Sequence, residues 1–107
     1  MNKPRKRILL KSLSSERQEL IVCMHKKQFG TIRRLPIAGG EPVLKKARVT
    51  RRRNLTKQPT TKPVSQNFIL KSAHIFLLET LDEVADGTLE LITFRDGLPC
   101  ELEHSEA

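Results

Sequence analysis

Two dense clusters of basic side chains are the groups in this sequence best suited to do chemistry. The first lies near the N-terminus and contains Arg5, Lys6 and Arg7. The second lies mid-chain and contains Lys45, Lys46, Arg48, Arg51, Arg52, Arg53 and Lys57. Lysine and arginine side chains that contact phosphates release condensed counterions, which gives salt-sensitive binding with little sequence preference. The clusters therefore predict a nucleic-acid partner, DNA or RNA, contacted through its phosphate backbone.

The charge is divided unequally along the chain. The 107 residues hold 20 Lys and Arg against 12 Asp and Glu. Residues 1–65 contain 18 of the basic and 3 of the acidic side chains, and residues 66–107 contain 2 and 9. A polybasic run also occurs as a solubilising segment, a localisation signal or a membrane-surface patch. The alternative function is a protein-interaction module, in which the acidic second half or the edge of a hairpin recruits a partner.

Neither catalysis nor metal binding is predicted. The two cysteines, Cys23 and Cys100, and the histidines at 25, 74 and 104 lack the close spacing of a zinc site. Cys23 falls on an apolar helix face, which favours a packing role. No nucleophile, base and orienting group occur together. We expect a non-enzymatic protein with no catalytic residue, no metal and no cofactor.

Two amphipathic helices must position the basic clusters. Leu20, Ile21 and Met24 predict a helix over residues 15–28, with Ser15 and Gln18 at capping-box spacing. Leu70, Leu77 and Leu81 recur at helical spacing and predict a second helix over 67–85, capped by Ser65 or Asn67. Gly30 and Gly87 follow the two helices, where glycine readily adopts the left-handed conformation that ends a helix.

A β-hairpin is predicted after each helix. Asp96-Gly97 is a strong two-residue turn signal, and Gly39-Gly40 serves in the first half. The alternation of apolar residues changes phase between Leu91 and Ile92, which indicates a bulge. The strands should bury six side chains: Ile32, Leu35, Ile37, Leu89, Leu91 and Phe94.

The two halves share a pattern. Residues 30–43 (GTIRRLPIAGGEPV) align without a gap with residues 87–100 (GTLELITFRDGLPC), with both glycines and the proline in register. A duplication of one helix–strand–turn–strand unit accounts for this alignment. Each unit has about 30 residues and is too small to bury an apolar face alone. We therefore expect the two hairpins to join in one antiparallel sheet.

The second copy resembles a known family. Gly87, Thr88, Leu89, Leu91, Phe94, Asp96 and Gly97 are similar to the helix–hairpin pattern of the small bacterial YezD-like domain. The resemblance covers about 30 residues in each half and is closer in the second. It implies an α-β-β fold for each unit, and no activity, because the family has no assigned function.

The predicted architecture is α+β: two α-β-β units, one antiparallel sheet and two helices on one face. A flexible basic tail (1–11) precedes the first unit (12–49), and a flexible basic linker (50–64) joins it to the second unit (65–104). No apolar run is long enough for a membrane span. Two cysteines make no disulfide framework, so a cytoplasmic location is expected. A homo-oligomer or a protein partner remains open beside nucleic acid.

Overall fold

The computed structural model describes residues 8–52 and 65–104, which form two helices and five strands. The helices are α1 (Ser15–Lys27) and α2 (Ser72–Val84). The strands are β1 (Gly30–Ala38), β2 (Glu41–Pro42), β3 (Arg48–Arg51), β4 (Gly87–Arg95) and β5 (Leu98–Glu103). Short 3-10 turns at Leu10–Ser12 and Leu44–Lys46 precede α1 and β3.

All five strands belong to one curled antiparallel sheet. Its order is β2-β1-β4-β5, and β3 pairs with β1 beside β2. The central contact joins the two halves of the chain, because β1 pairs with β4 from Gly30 opposite Phe94 to Ile37 opposite Gly87. The predicted α+β class and the antiparallel sheet are confirmed.

One apolar core joins both helices to one face of the sheet. Its buried members from α1 are Leu20, Ile21 and Met24, and those from α2 are Leu77, Leu78 and Leu81. Five of the six strand residues predicted to be buried lie in this core. The prediction for Leu91 is wrong, because that side chain is only half-buried. The change of phase in β4 falls between Leu89 and Ile92, so Leu91 lies on the other face of the sheet from its two buried neighbours.

Helix α1 begins at the predicted residue but has a different cap, whereas α2 begins later than predicted. Ser14 rather than Ser15 caps α1, since its Oγ accepts a hydrogen bond from the backbone N of Arg17 at 3.3 Å. The second helix starts at Ser72, five residues beyond the predicted start. Leu70 is buried but lies outside the helix. Its backbone N donates to the Ile8 carbonyl at 2.9 Å. Leu70 fits the helical spacing of the sequence, but in the structure it takes part in a strand-like backbone contact instead.

The prediction of a basic tail over residues 1–11 is wrong for residues 8–11. Leu10 is fully buried, and its backbone N donates to the Phe68 carbonyl at 2.8 Å. Burial of this leucine offsets the entropy of ordering the segment. Residues 1–7 lie outside the described part of the chain. At the other predicted flexible segment, 50–64, β3 continues to Arg51, and residues 53–64 lie outside the description.

The two helices end without help from the predicted glycines. The residues with positive φ after α1 and α2 are Gln28 (φ 67°) and Ala85 (φ 56°), each at the centre of a tight turn, and Gly30 and Gly87 instead begin β1 and β4. Gly30 is required for a different reason, namely close packing. A Cβ atom at this position would lie 2.0 Å from the Thr50 carbonyl oxygen of β3.

The two hairpin turns are built alike, and each is tied to the opposite half of the chain. Gly40 and Gly97 occupy the second turn positions with φ of 77° and 76°. The Gly40 N–H donates to the carbonyl of Ala85 at the end of α2, and the Gly97 N–H donates to the carbonyl of Gln28 at the end of α1. Each helix end therefore holds the hairpin of the other half in place.

Within residues 8–52 and 65–104, no helix combines the length and the apolar character needed to cross a membrane.

Candidate nucleic-acid interface

The structure places five of the predicted contact residues on β3 or next to it, at one edge of the sheet. Lys45 and Lys46 lie in the 3-10 turn that leads into β3, Arg48 and Arg51 lie on β3, and Arg52 follows directly. All five side chains are exposed. The backbone N of Arg52 donates to the Phe29 carbonyl at 2.8 Å, which fixes the chain at the end of β3. The remaining candidates, Arg5, Lys6, Arg7, Arg53 and Lys57, lie outside the described residues.

Two further arginines lie beside this group and were missed in the sequence. Arg33 and Arg34 are consecutive exposed residues in the middle of β1. The pairing of β1 with β4 passes over Arg34, which has a φ of 52°, so the strand changes phase here. In the sequence, Arg33 and Arg34 are separated from the mid-chain cluster by ten residues, and only the pairing of β1 with β3 brings them next to it. We call the following seven residues the basic surface: Arg33, Arg34, Lys45, Lys46, Arg48, Arg51 and Arg52.

Two arginines of the basic surface face each other across neighbouring strands. Arg33 on β1 is the direct partner of Arg48 on β3. Direct partners in an antiparallel pair project to the same face with Cα atoms about 5 Å apart, and like charges in this position destabilise the sheet. Their face is the one away from the core, since the adjacent pair Ile32 and Val49 projects towards it.

No ion pair within residues 8–52 and 65–104 involves a residue of the basic surface. Among the described residues, both ion pairs are made by Arg17, with Glu41 and with Asp82. Arg17 is also the guanidinium that donates to the Gly40 carbonyl, at 2.9 Å. This arginine therefore stabilises the first hairpin turn against α2 and is not a free cation.

Two acidic residues of the sheet lie at its opposite edge, on β5, whereas Glu90 lies on β4 and Glu41 on β2. Residues that are directly paired on successive strands form a row across the sheet. The row that begins with Arg48 on β3 and Arg33 on β1 continues through Leu91 on β4 to Glu103 on β5. The next row on the same face begins at Thr50 and also ends at a glutamate, Glu101. Because neighbouring strands are about 4.8 Å apart, Glu103 lies about 10 Å from Arg33, close to one Debye length in physiological salt. The outer face of the sheet thus changes from basic to acidic across four strands.

His74 is the one polar residue in the buried part of the described structure, with 2% of its surface exposed. Its Nδ1 accepts a hydrogen bond from the backbone N of Lys71 at 3.1 Å. Its Nε2 lies 3.2 Å from the Gly97 carbonyl, so it donates there and the ring is neutral. Burial lowers the pKa of His74 below its ordinary value, and the positive charges of Lys71 and His25 lower it further.

Because both of its ring nitrogens are engaged, His74 has a structural role. It joins the start of α2 to the β4–β5 turn, as Arg17 joins α1 to the β1–β2 turn. The pocket beside it, about 280 Å³ and lined in part by His25, Phe68 and Asp96, contains no cysteine or serine.

The two cysteines differ in exposure. Cys23 lies half-buried on α1, and burial raises the pKa of its thiol. A protonated thiol is a poor nucleophile. Cys100 is exposed on β5 and its Sγ lies 3.6 Å from the Leu98 carbonyl oxygen. In the described part of the chain, no three His, Cys, Asp or Glu side chains are placed to share a metal ion.

Comparison of the chain with protein-family models, with curated proteins and with solved structures finds no match.

Proposed function

We propose that this protein is a non-enzymatic nucleic-acid-binding protein, and that the basic surface contacts the phosphate backbone. The observation that carries the proposal is the direct pairing of Arg33 with Arg48 on the open face of the sheet. Two cations held about 5 Å apart are unfavourable by themselves. A phosphate placed between them accepts hydrogen bonds from both and removes the repulsion.

The remaining residues of the basic surface support a phosphate track rather than a single anion site. Arg51 and Arg52 continue along the end of β3, and Lys45 and Lys46 lie before its start. Their exposure leaves each free to follow a flexible polyanion. The acidic edge at Glu101 and Glu103 repels phosphate, which directs the nucleic acid to the β1–β3 side.

The open face supports contact with the backbone rather than stacking on bases. Stacking requires exposed aromatic rings. The residues between the arginines on this face are Thr31 and Thr50, which are direct partners on β1 and β3. Phe94 is buried in the core and Phe76 lies on α2, whereas Phe29, whose carbonyl accepts from Arg52, is only half-buried and is the one ring beside the basic surface in the described residues.

The test is the salt dependence of binding to a mixed-sequence DNA duplex and to an RNA hairpin, measured by fluorescence anisotropy. The variant Arg33→Ala/Arg48→Ala removes the paired arginines. If both contact phosphates, the slope of log K against log salt concentration for the duplex becomes shallower by about 1.8.

The matched control is Lys26→Ala/Lys71→Ala, which removes two exposed positive charges from the helices' side of the molecule, one on α1 and one directly before α2. We expect its slope to equal that of the wild type. The proposal fails if neither nucleic acid binds at low salt, or if the control changes the slope as much as the paired arginines do.

The same proposal includes the duplication of an α-β-β unit, with the resemblance to the YezD-like domain applying to each copy. Several corresponding features lie 57 residues apart. The helices α1 and α2 have 13 residues each and start at Ser15 and Ser72. Arg17 and His74 both contact the carbonyl of a turn glycine, Gly40 and Gly97 respectively. These correspondences support a pseudo-twofold arrangement in which β1 and β4 meet at the axis.

A further inference from the structure

We infer that a second copy of this chain docks its β3 edge against β5, so that the sheets of neighbouring copies become continuous. The inference rests on three features of the described residues: two strand edges with opposite charge, an apolar row that ends at each edge, and an open groove beside one of them. It shares Arg48 with the basic surface but does not require that nucleic acid be bound.

Both edges are open in the described part of the chain. β5 pairs with β4 on one side, and β3 pairs with β1 on one side. No strand of residues 8–52 or 65–104 pairs with the other side of either. An unpaired edge exposes backbone donors and acceptors that another strand can satisfy.

The charges of the two edges match when one copy follows another. The outer row of the sheet starts at Arg48 and ends at Glu103, so a second copy in the same orientation places its Arg48 beside Glu103 of the first. The two strands then run antiparallel, because successive strands from β3 to β5 alternate in direction. Two β5 edges would instead bring glutamates together, which disfavours a symmetric contact.

The apolar side chains at the two ends of the core-facing row also match each other. This row consists of Val49, Ile32, Ile92 and Leu102, from β3 to β5. Its inner members are buried, whereas Val49 and Leu102 at the two ends are half-buried. Docking β3 of one copy on β5 of another places these two side chains next to each other. Each then loses the exposure that it has in the single chain.

An apolar groove lies where the incoming strand would be covered. The groove, about 240 Å³, runs between α2 and β5 and is lined by Phe76, Leu77, Pro99 and Leu102 among others. Phe76 is 64% exposed, the highest fraction among the large apolar side chains described. An added strand beside β5 extends the sheet under this ring, so Phe76 packs on the apolar side chains of the second copy.

The experiment is sedimentation equilibrium of the full chain, freed of nucleic acid by nuclease and high salt, from micromolar to millimolar concentration. We expect the average mass to rise with concentration. Glu103→Arg and Arg48→Glu should each lower the association constant about tenfold, because an attractive cross-strand pair becomes repulsive. The double variant Glu103→Arg/Arg48→Glu should restore association.

Two further variants separate this contact from general effects. Phe76→Ser should weaken association without changing the charge, and Glu19→Arg, the same charge change on the exposed side of α1, should leave it unaltered. Circular dichroism verifies that each variant is folded. The inference is overturned if the chain stays monomeric at every concentration, even if it binds a different basic protein. It is also overturned by association that survives the single charge changes, or that the double variant fails to restore.

Discussion

Replacement of Gly30 by alanine tests how closely β1 and β3 approach each other. The new Cβ would lie 2.0 Å from the Thr50 carbonyl oxygen and 2.9 Å from the Phe94 ring. An ordinary contact between carbon and a carbonyl oxygen is about 3.3 Å, so the strands must separate by about 1.3 Å. This separation weakens two backbone hydrogen bonds at about 1 kcal/mol each, and displacement of a packed ring adds a similar amount. We expect a loss of about 3 kcal/mol in the free energy of unfolding.

The assay is urea denaturation followed by circular dichroism, with Gly39→Ala as the matched control. A Cβ at Gly39 meets no atom within 4 Å, and only the left-handed φ of 57° opposes the change. That conformational cost is about 1 kcal/mol. If Gly30→Ala loses no more stability than Gly39→Ala, the close approach of the two strands is refuted. Amide hydrogen exchange at Arg52 provides a second readout, because its bond to Phe29 lies at the same end of β3.

Three further outcomes follow from buried side chains. The pKa of His74 is lower in the folded state, so on acidification the unfolded chain binds this proton first. The free energy of unfolding should therefore be level above pH 7 and fall as the pH drops below 6.5. In urea titrations at several pH values, His74→Gln should flatten this dependence, and an unchanged profile would contradict the assignment. Leu10→Ala should cost about 2–5 kcal/mol by calorimetry, whereas a truly flexible tail would lose almost nothing. A maleimide reagent at pH 8 should label Cys100 well before Cys23, as mass spectrometry of peptides can establish, and equal rates would argue against the burial of Cys23.

The fold was largely predictable because apolar periodicity and turn residues are local signals. Leu20, Ile21 and Met24 predict α1 directly, and Asp96-Gly97 predicts the turn that joins β4 to β5. Prediction failed where a residue's neighbour is distant in sequence. Leu70 fits the helical spacing of α2, yet its partner is Ile8, more than sixty residues away.

The candidate interface was predictable only in part for the same reason. Arg48, Arg51 and Arg52 are conspicuous in the sequence, whereas Arg33 gains its significance from the register of β1 against β3. Register depends on the whole sheet and not on any short stretch of residues. The role of His74 was equally hidden, since its two hydrogen-bonding partners are backbone atoms that carry no sequence signal.

The exchanged hydrogen bonds of the two hairpin turns bear on how the chain acquires its structure during synthesis. The amide of Gly40 has its acceptor at Ala85, and β1 obtains its longest neighbour only when residues 87–95 have been made. The first half therefore leaves the ribosome with an open strand edge and an uncovered apolar surface. Such a nascent segment is prone to aggregate or to engage a chaperone until its second half arrives. Conversely, two fragments made by cutting between residues 53 and 64 should need each other to fold and should recombine when mixed.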